Sequence, residues 1–181
     1  FKAMKKFPKY HEEIKAYKVL DNNNKIVGIF LTDYFARPSK QGGAWMTSYQ
    51  DQSKNKGIKH PIVINVCNFP KPTKDKPTLL SFEQAITLFH EFGHGLHGLL
   101  SNVTYPSLSG TSVPRDYVEF PSQMMENWIR SPKVLKEFAL HYETGKRIPQ
   151  DLLKKYEKCQ KFNQGFATTC LLYTSDAADD G

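Results

Sequence analysis

Nowhere in these 181 residues does an apolar run approach the length needed to cross a bilayer, which argues against a membrane partner. The opening FKAMKKFPKYHEE carries lysines with no apolar region behind them and is not read as a signal peptide. Cysteine is scarce. Cys67, Cys159 and Cys170 are odd in number and none belongs to a C-x-x-C pair, which disfavours both a disulfide framework and a thiolate zinc site. A reducing, cytoplasmic setting is the expectation. Acidic side chains are outnumbered, 18 Asp and Glu against 25 Lys and Arg, for a formal charge of +7. Clustered cations bind phosphate, but these lysines are scattered without a recognition motif, so they read as solvated surface and no nucleic-acid partner is expected.

What is present describes a folded protein. Hydrophobic residues make up 39% of the chain, enough for a domain core or a piece of one. Residues 1–14 read as a polar lead-in that finishes a helix begun upstream. Ala16–Leu20 and Ile26–Leu31 flank the turn-rich Asp21-Asn22-Asn23-Asn24 and predict a β-hairpin. Arg37–Met46, with Gly42-Gly43, reads as a loop, and the β-branched run Pro61–Cys67 as a strand, either internal to a small sheet or with an edge that could receive an extended peptide. Farther on, Ser131-Pro132 opens a predicted helix that Gly145 ends, and Pro149 opens another with Leu152, Leu153, Tyr156 and Cys159 on one core-forming side. The fold class is mainly α with a small β-sheet or hairpin, an α+β arrangement.

The chemistry concentrates in Phe89–Leu100, FHEFGHGLHGLL. Ser81, with Gln84 three residues on, makes a capping box, and Phe82, Ala85, Ile86 and Phe89 continue at helical spacing into His90. On that helix His90 and His94 project from one side and can share a metal ion, with Glu91 beside them as general base. This is the H-E-x-x-H pattern of zinc hydrolases, and one Zn²⁺ is the expected cofactor.

Catalytic zinc takes three protein ligands, so a third is required. The pattern that would place a histidine at position 100 fails, because this chain has His97 and Leu100 there. His97 reads as a packing or supporting residue. A carboxylate from a second helix is the other route. Asp116, Glu119, Gln123 and Glu126 recur at three- and four-residue intervals, leaving Asp116, Glu119 and Glu126 open by spacing, with a kink or helix start at Pro121. The preceding loop, Ser101–Pro114, offers Ser109, Gly110 and Thr111 as candidate contacts to a substrate backbone.

HEFGHGLHGLLS followed by SGTSVPRDYVEFPSQMMENW, together with YFARPSKQGGAWM and KFNQGFAT, resembles the thimet oligopeptidase and oligopeptidase A family, most closely its peptidyl-dipeptidase branch. The resemblance implies His90, His94 and Glu119 as zinc ligands and Glu91 as catalytic base. It implies a zincin-like catalytic core, a fragment of a larger, mostly helical domain, hydrolysing oligopeptides and releasing C-terminal dipeptides, with endo-acting cleavage or metal binding without catalysis as alternatives. In related enzymes an Asp four residues after the ligand Glu orients a histidine. Gln123 holds that position here, so Gln123 or Glu126 is the candidate for that support. The family's Tyr- and His-bearing oxyanion segment belongs downstream of these residues, so this stretch alone is expected to bind metal and to be incomplete for catalysis. Residues 1–169 read as a partial metallopeptidase domain, and 170–181, CLLYTSDAADDG, as a non-homologous tail, a cloning scar or a disordered terminus.

Overall fold

Asp21 does what the turn composition promises. Its carboxylate accepts the backbone N–H groups of Asn23 and Lys25, both at 2.8 Å, and Asn24 takes a positive φ of 59°. The turn joins β2 (Lys15–Leu20) to β3 (Ile26–Phe35) in an antiparallel pair. This computed structural model describes residues 1–179 and divides into two units, Phe1–Ser131 and Pro132–Gly181.

In the first unit, residues 1–14 carry no helix. Lys2–Ala3 form a short strand, β1, against β2, because Lys2 and Ala3 find backbone partners in Lys18 and Tyr17. A second strand unforeseen in the sequence, β4 (Trp45–Gln50), begins inside the expected glycine loop. The sheet runs β1-β2-β3-β5-β4, with β5 (Ile62–Phe69) parallel to β3 and antiparallel to β4. The run read as a possible edge strand is therefore internal, and β4 occupies that edge. Burial on both faces explains why β5 is almost continuously apolar instead of alternating.

At the end of β3, the buried Asp33 accepts both guanidinium nitrogens of Arg37, at 2.7 and 2.8 Å, and the Tyr10 hydroxyl at 2.8 Å. The Lys40 ammonium reaches the same carboxylate at 3.1 Å and also donates to the carbonyls of Phe35 and Cys67. The network pins the loop between β3 and β4 to the sheet.

Helix α1 (Phe82–Leu99) starts at the Ser81 cap: Gln84 N–H donates to Ser81 Oγ at 3.1 Å, and Ser81 N–H to Gln84 Oε1 at 3.0 Å. Its buried face includes Glu91, Gly93, His94, Gly95, Gly98 and Leu99. Val63 lies under Gly98 and Asn65 under Gly95, so α1 rests on β5. Val19, Phe30, Val63 and Leu99 form the core between them. Beyond a 3₁₀ turn at Pro106–Leu108, α2 (Arg115–Val118) and α3 (Phe120–Ile129) meet at Glu119, which caps both. Pro121 sits in the first turn of α3, where its missing N–H costs nothing, so it starts a helix rather than kinking one.

The second unit contains α4 (Pro132–Phe138), α5 (Gln150–Gln160) and α6 (Gln164–Asp179). α4 stops well before Gly145. His141 Nδ1 accepts the N–H groups of Glu143 and Thr144, and Gly145 at φ 64° closes a turn bridged by Leu140 and Arg147. Pro149 caps α5 as expected, but neither α4 nor α5 buries a residue, so among the described residues of this unit their apolar faces form no buried core. The helix begun at Gln164 continues through Cys170, where the sequence patterning suggested a break.

Candidate metal centre

His90 and His94 stand one turn apart on α1, with ring centroids 4.9 Å apart. Glu119 reaches them from the α2–α3 junction. Its Oε2 lies 3.2 Å from His90 Nε2 and 3.1 Å from His94 Nε2. One ligand atom from each of the three falls within 4.8 Å of the others, the only group of this kind among the described residues. Ligand atoms arranged tetrahedrally about 2.1 Å from one zinc ion sit ~3.4 Å apart, so the donor set fits that metal in both chemistry and spacing. Asp116, the competitor by spacing, is not in the group.

Close approach of α1 to α3 makes this possible. A Cβ on Gly93 would lie 2.5 Å from Ser122 Cα and 2.6 Å from the Pro121 carbonyl, so only glycine lets the two helices meet here. Ser122, fully buried, donates its hydroxyl toward Glu119: Oγ is 2.7 Å from Oε2 and 2.9 Å from the Glu119 carbonyl. That hydroxyl, aided by the two histidines, holds the Glu119 carboxyl below its ordinary range even though burial opposes the shift. Sequence reasoning missed Ser122; its signal was a hydroxyl three residues after the candidate ligand, at the start of a helix.

Glu126 is not among the three converging groups but lies 2.7 Å from His90 Nδ1 through Oε1. Gln123, four residues after Glu119, is exposed, and the group at His90 Nδ1 is Glu126 instead. His97 packs edge-on to Tyr117, with centroids 6.2 Å apart, and burial lowers its pKa.

Glu91 is buried, and its Oε2 has no hydrogen-bond partner. Burial raises its carboxyl above the ordinary range, the Glu119 charge adds to the shift, and His90 opposes it. His94 moves the other way: burial lowers its pKa, which favours the neutral imidazole that a metal requires. Ser109 and Gly110 are buried where the loop returns to α1. Gly110 abuts Gly98 and donates its N–H to Ser101 Oγ at 2.7 Å. Thr111 is exposed.

Two imidazoles on one helix and a carboxylate from the next define a candidate metal centre of the His₂–carboxylate class, set against a mixed sheet. The chain belongs to peptidase family M3, whose family model matches residues 1–177. It is 45% identical to the dipeptidyl carboxypeptidase of Escherichia coli over 166 residues, 91% of this chain and 24% of that protein. It is 43% identical to the oligopeptidase A of Salmonella typhimurium over 149 residues, 81% and 22% of the two chains. The thimet-like oligopeptidase of Dictyostelium discoideum is 36% identical over 171 residues, 90% and 25%. The chain thus spans about a quarter of the length of the curated relatives it matches.

Proposed function

We propose that this chain carries the catalytic centre of a zinc peptidase that hydrolyses short peptides, releasing dipeptides from their C-termini. The observation that carries the reading is the convergence of His90, His94 and Glu119 beside a buried Glu91. His90, His94 and Glu119 hold the metal, in a zincin-like core where α1 lies on the sheet. A bound zinc ion supplies Lewis acidity toward the scissile carbonyl and the hydrolytic water.

Glu91 is the base. Its carboxylate, with one oxygen unengaged and a raised pKa, takes a proton from the water and returns it to the leaving amine. Ser122 holds the Glu119 carboxylate toward the two histidines. The outer edge of β4 supports an extended peptide through main-chain hydrogen bonds, which favours short, unfolded substrates. Of the loop residues Ser109, Gly110 and Thr111, Thr111 is the exposed one and the best placed to meet substrate. C-terminal dipeptide release is favoured by the match to dipeptidyl carboxypeptidase over 91% of the chain. The 43% identity to an oligopeptidase A supports endo-acting cleavage as the second reading.

The test uses the full-length protein with paired peptides bearing free and amidated C-termini. Glu91→Gln should keep its zinc and lose roughly 10²–10⁴-fold in turnover. Turnover at the parent rate would remove Glu91 from the mechanism. Cleavage confined to peptides with a free C-terminus supports dipeptide release, and equal cleavage of the amidated peptides selects the endo-acting reading.

A further inference from the structure

His90 is gripped at both ring nitrogens by carboxylates of one helix start and its second turn. Nε2 lies 3.2 Å from Glu119 Oε2, and Nδ1 lies 2.7 Å from Glu126 Oε1. Glu126 follows Glu119 by seven residues, two turns of α3, so both carboxylates leave the same side of that helix. An imidazole that gives the Nε2 lone pair to a metal must carry its proton on Nδ1, and the acceptor in place for that proton is Glu126. Ser122 does the matching work on Glu119, so α3 supplies one ligand, the group that fixes that ligand, and the group that fixes a ligand on α1.

We infer that Glu126 is a positioning residue for the metal centre: it accepts the Nδ1–H of His90, setting the ring's tautomer and its rotation toward the ion. The inference rests on the ligand assignment proposed above. The position four residues after Glu119, Gln123, is exposed, and Glu126 is the group that meets His90 Nδ1. The orienting carboxylate comes from a turn later, where the helix again faces α1. Removing such a partner typically weakens metal binding 10–100-fold, because the ring is freed to rotate and the unwanted tautomer competes.

The experiment measures zinc dissociation constants by competition with a chromophoric chelator, in the full-length protein carrying Glu126→Ala, Glu126→Gln or His94→Ala. The melting temperature of each metal-free form is measured alongside. Glu126→Ala should weaken zinc binding about 10–100-fold with an unchanged metal-free melting temperature. Glu126→Gln, which keeps an acceptor oxygen and loses the charge, should recover part of that loss. An alanine variant that binds zinc as the parent does overturns the inference, and so does one whose loss is matched by a fall in the metal-free melting temperature. His94→Ala separates the two levels. If it also retains zinc, the ligand assignment is what fails; if it loses zinc while Glu126→Ala does not, only the role of Glu126 fails.

Discussion

Away from the metal centre, Asp33 is held by Arg37, Tyr10 and Lys40 together. Burial pushes its carboxyl up, but the hydrogen bonds from Arg37, Tyr10 and Lys40 outweigh burial and hold it well below the usual carboxylate range. A folded-state value below the unfolded one means that the stabilisation is complete above about pH 4 and drains away as pH falls toward the folded value. Asp33→Asn leaves two cations buried without their counter-charge, which should cost about 3–5 kcal/mol at neutral pH. Urea unfolding at a series of pH values checks this: the gap between parent and variant should be widest near pH 7 and shrink below about pH 4. A constant gap would mean that the charge is not what stabilises the network. Residue chemistry of this kind was poorly legible in the sequence. Asp33 and Arg37 are four apart in a strand and loop, a spacing that suggests nothing outside a helix, and Lys40 is buried only because a carboxylate and three carbonyls receive it.

Between elements, the α1–α3 contact decides whether a centre exists at all. Gly93→Ala would press a methyl group on the backbone of Pro121 and Ser122, which cannot turn aside as a side chain can. It should destabilise the protein by about 1–3 kcal/mol and weaken zinc binding, because the histidines and Glu119 are carried on the two helices forced apart. Gly165→Ala, in a helix with open space around it, is the control and should leave zinc binding unchanged. Calorimetric melting with zinc titration reads both, and equal behaviour of the two variants would sink the argument. Elements built from local chemistry were the ones the sequence announced: the Ser81–Gln84 box, the Asp21 turn and the opening of α5 at Pro149, with Pro121 narrowed to a kink or a helix start. Elements built from distant partners were not. β1 has two residues and exists through β2, and β4 through β5. Spacing alone left three carboxylates open as the third ligand, since the distance from α3 to α1 is set by Gly93 and Ser122 and by nothing periodic.

At the scale of the whole chain, apolar surface is left open. Phe138, Phe162 and Phe166 are 73%, 78% and 72% exposed, and an apolar cavity of about 430 Å³ opens among Phe1, Tyr17, Phe30, Phe89 and Phe92. Amphipathic spacing in α5 was legible, but spacing does not say what packs on that face, and no residue of α5 is buried. The 181-residue chain should therefore enhance the fluorescence of a hydrophobic dye strongly. No enhancement would mean that these faces are covered in solution. Chain order and sheet order disagree at one place: β4 precedes β5 in the sequence but lies outside it. During synthesis β4 therefore emerges before its sheet neighbour, since the residues it pairs with, Ile62–Val66, follow it in the chain. That neighbour is also the bed on which the next helix to emerge, α1, comes to rest.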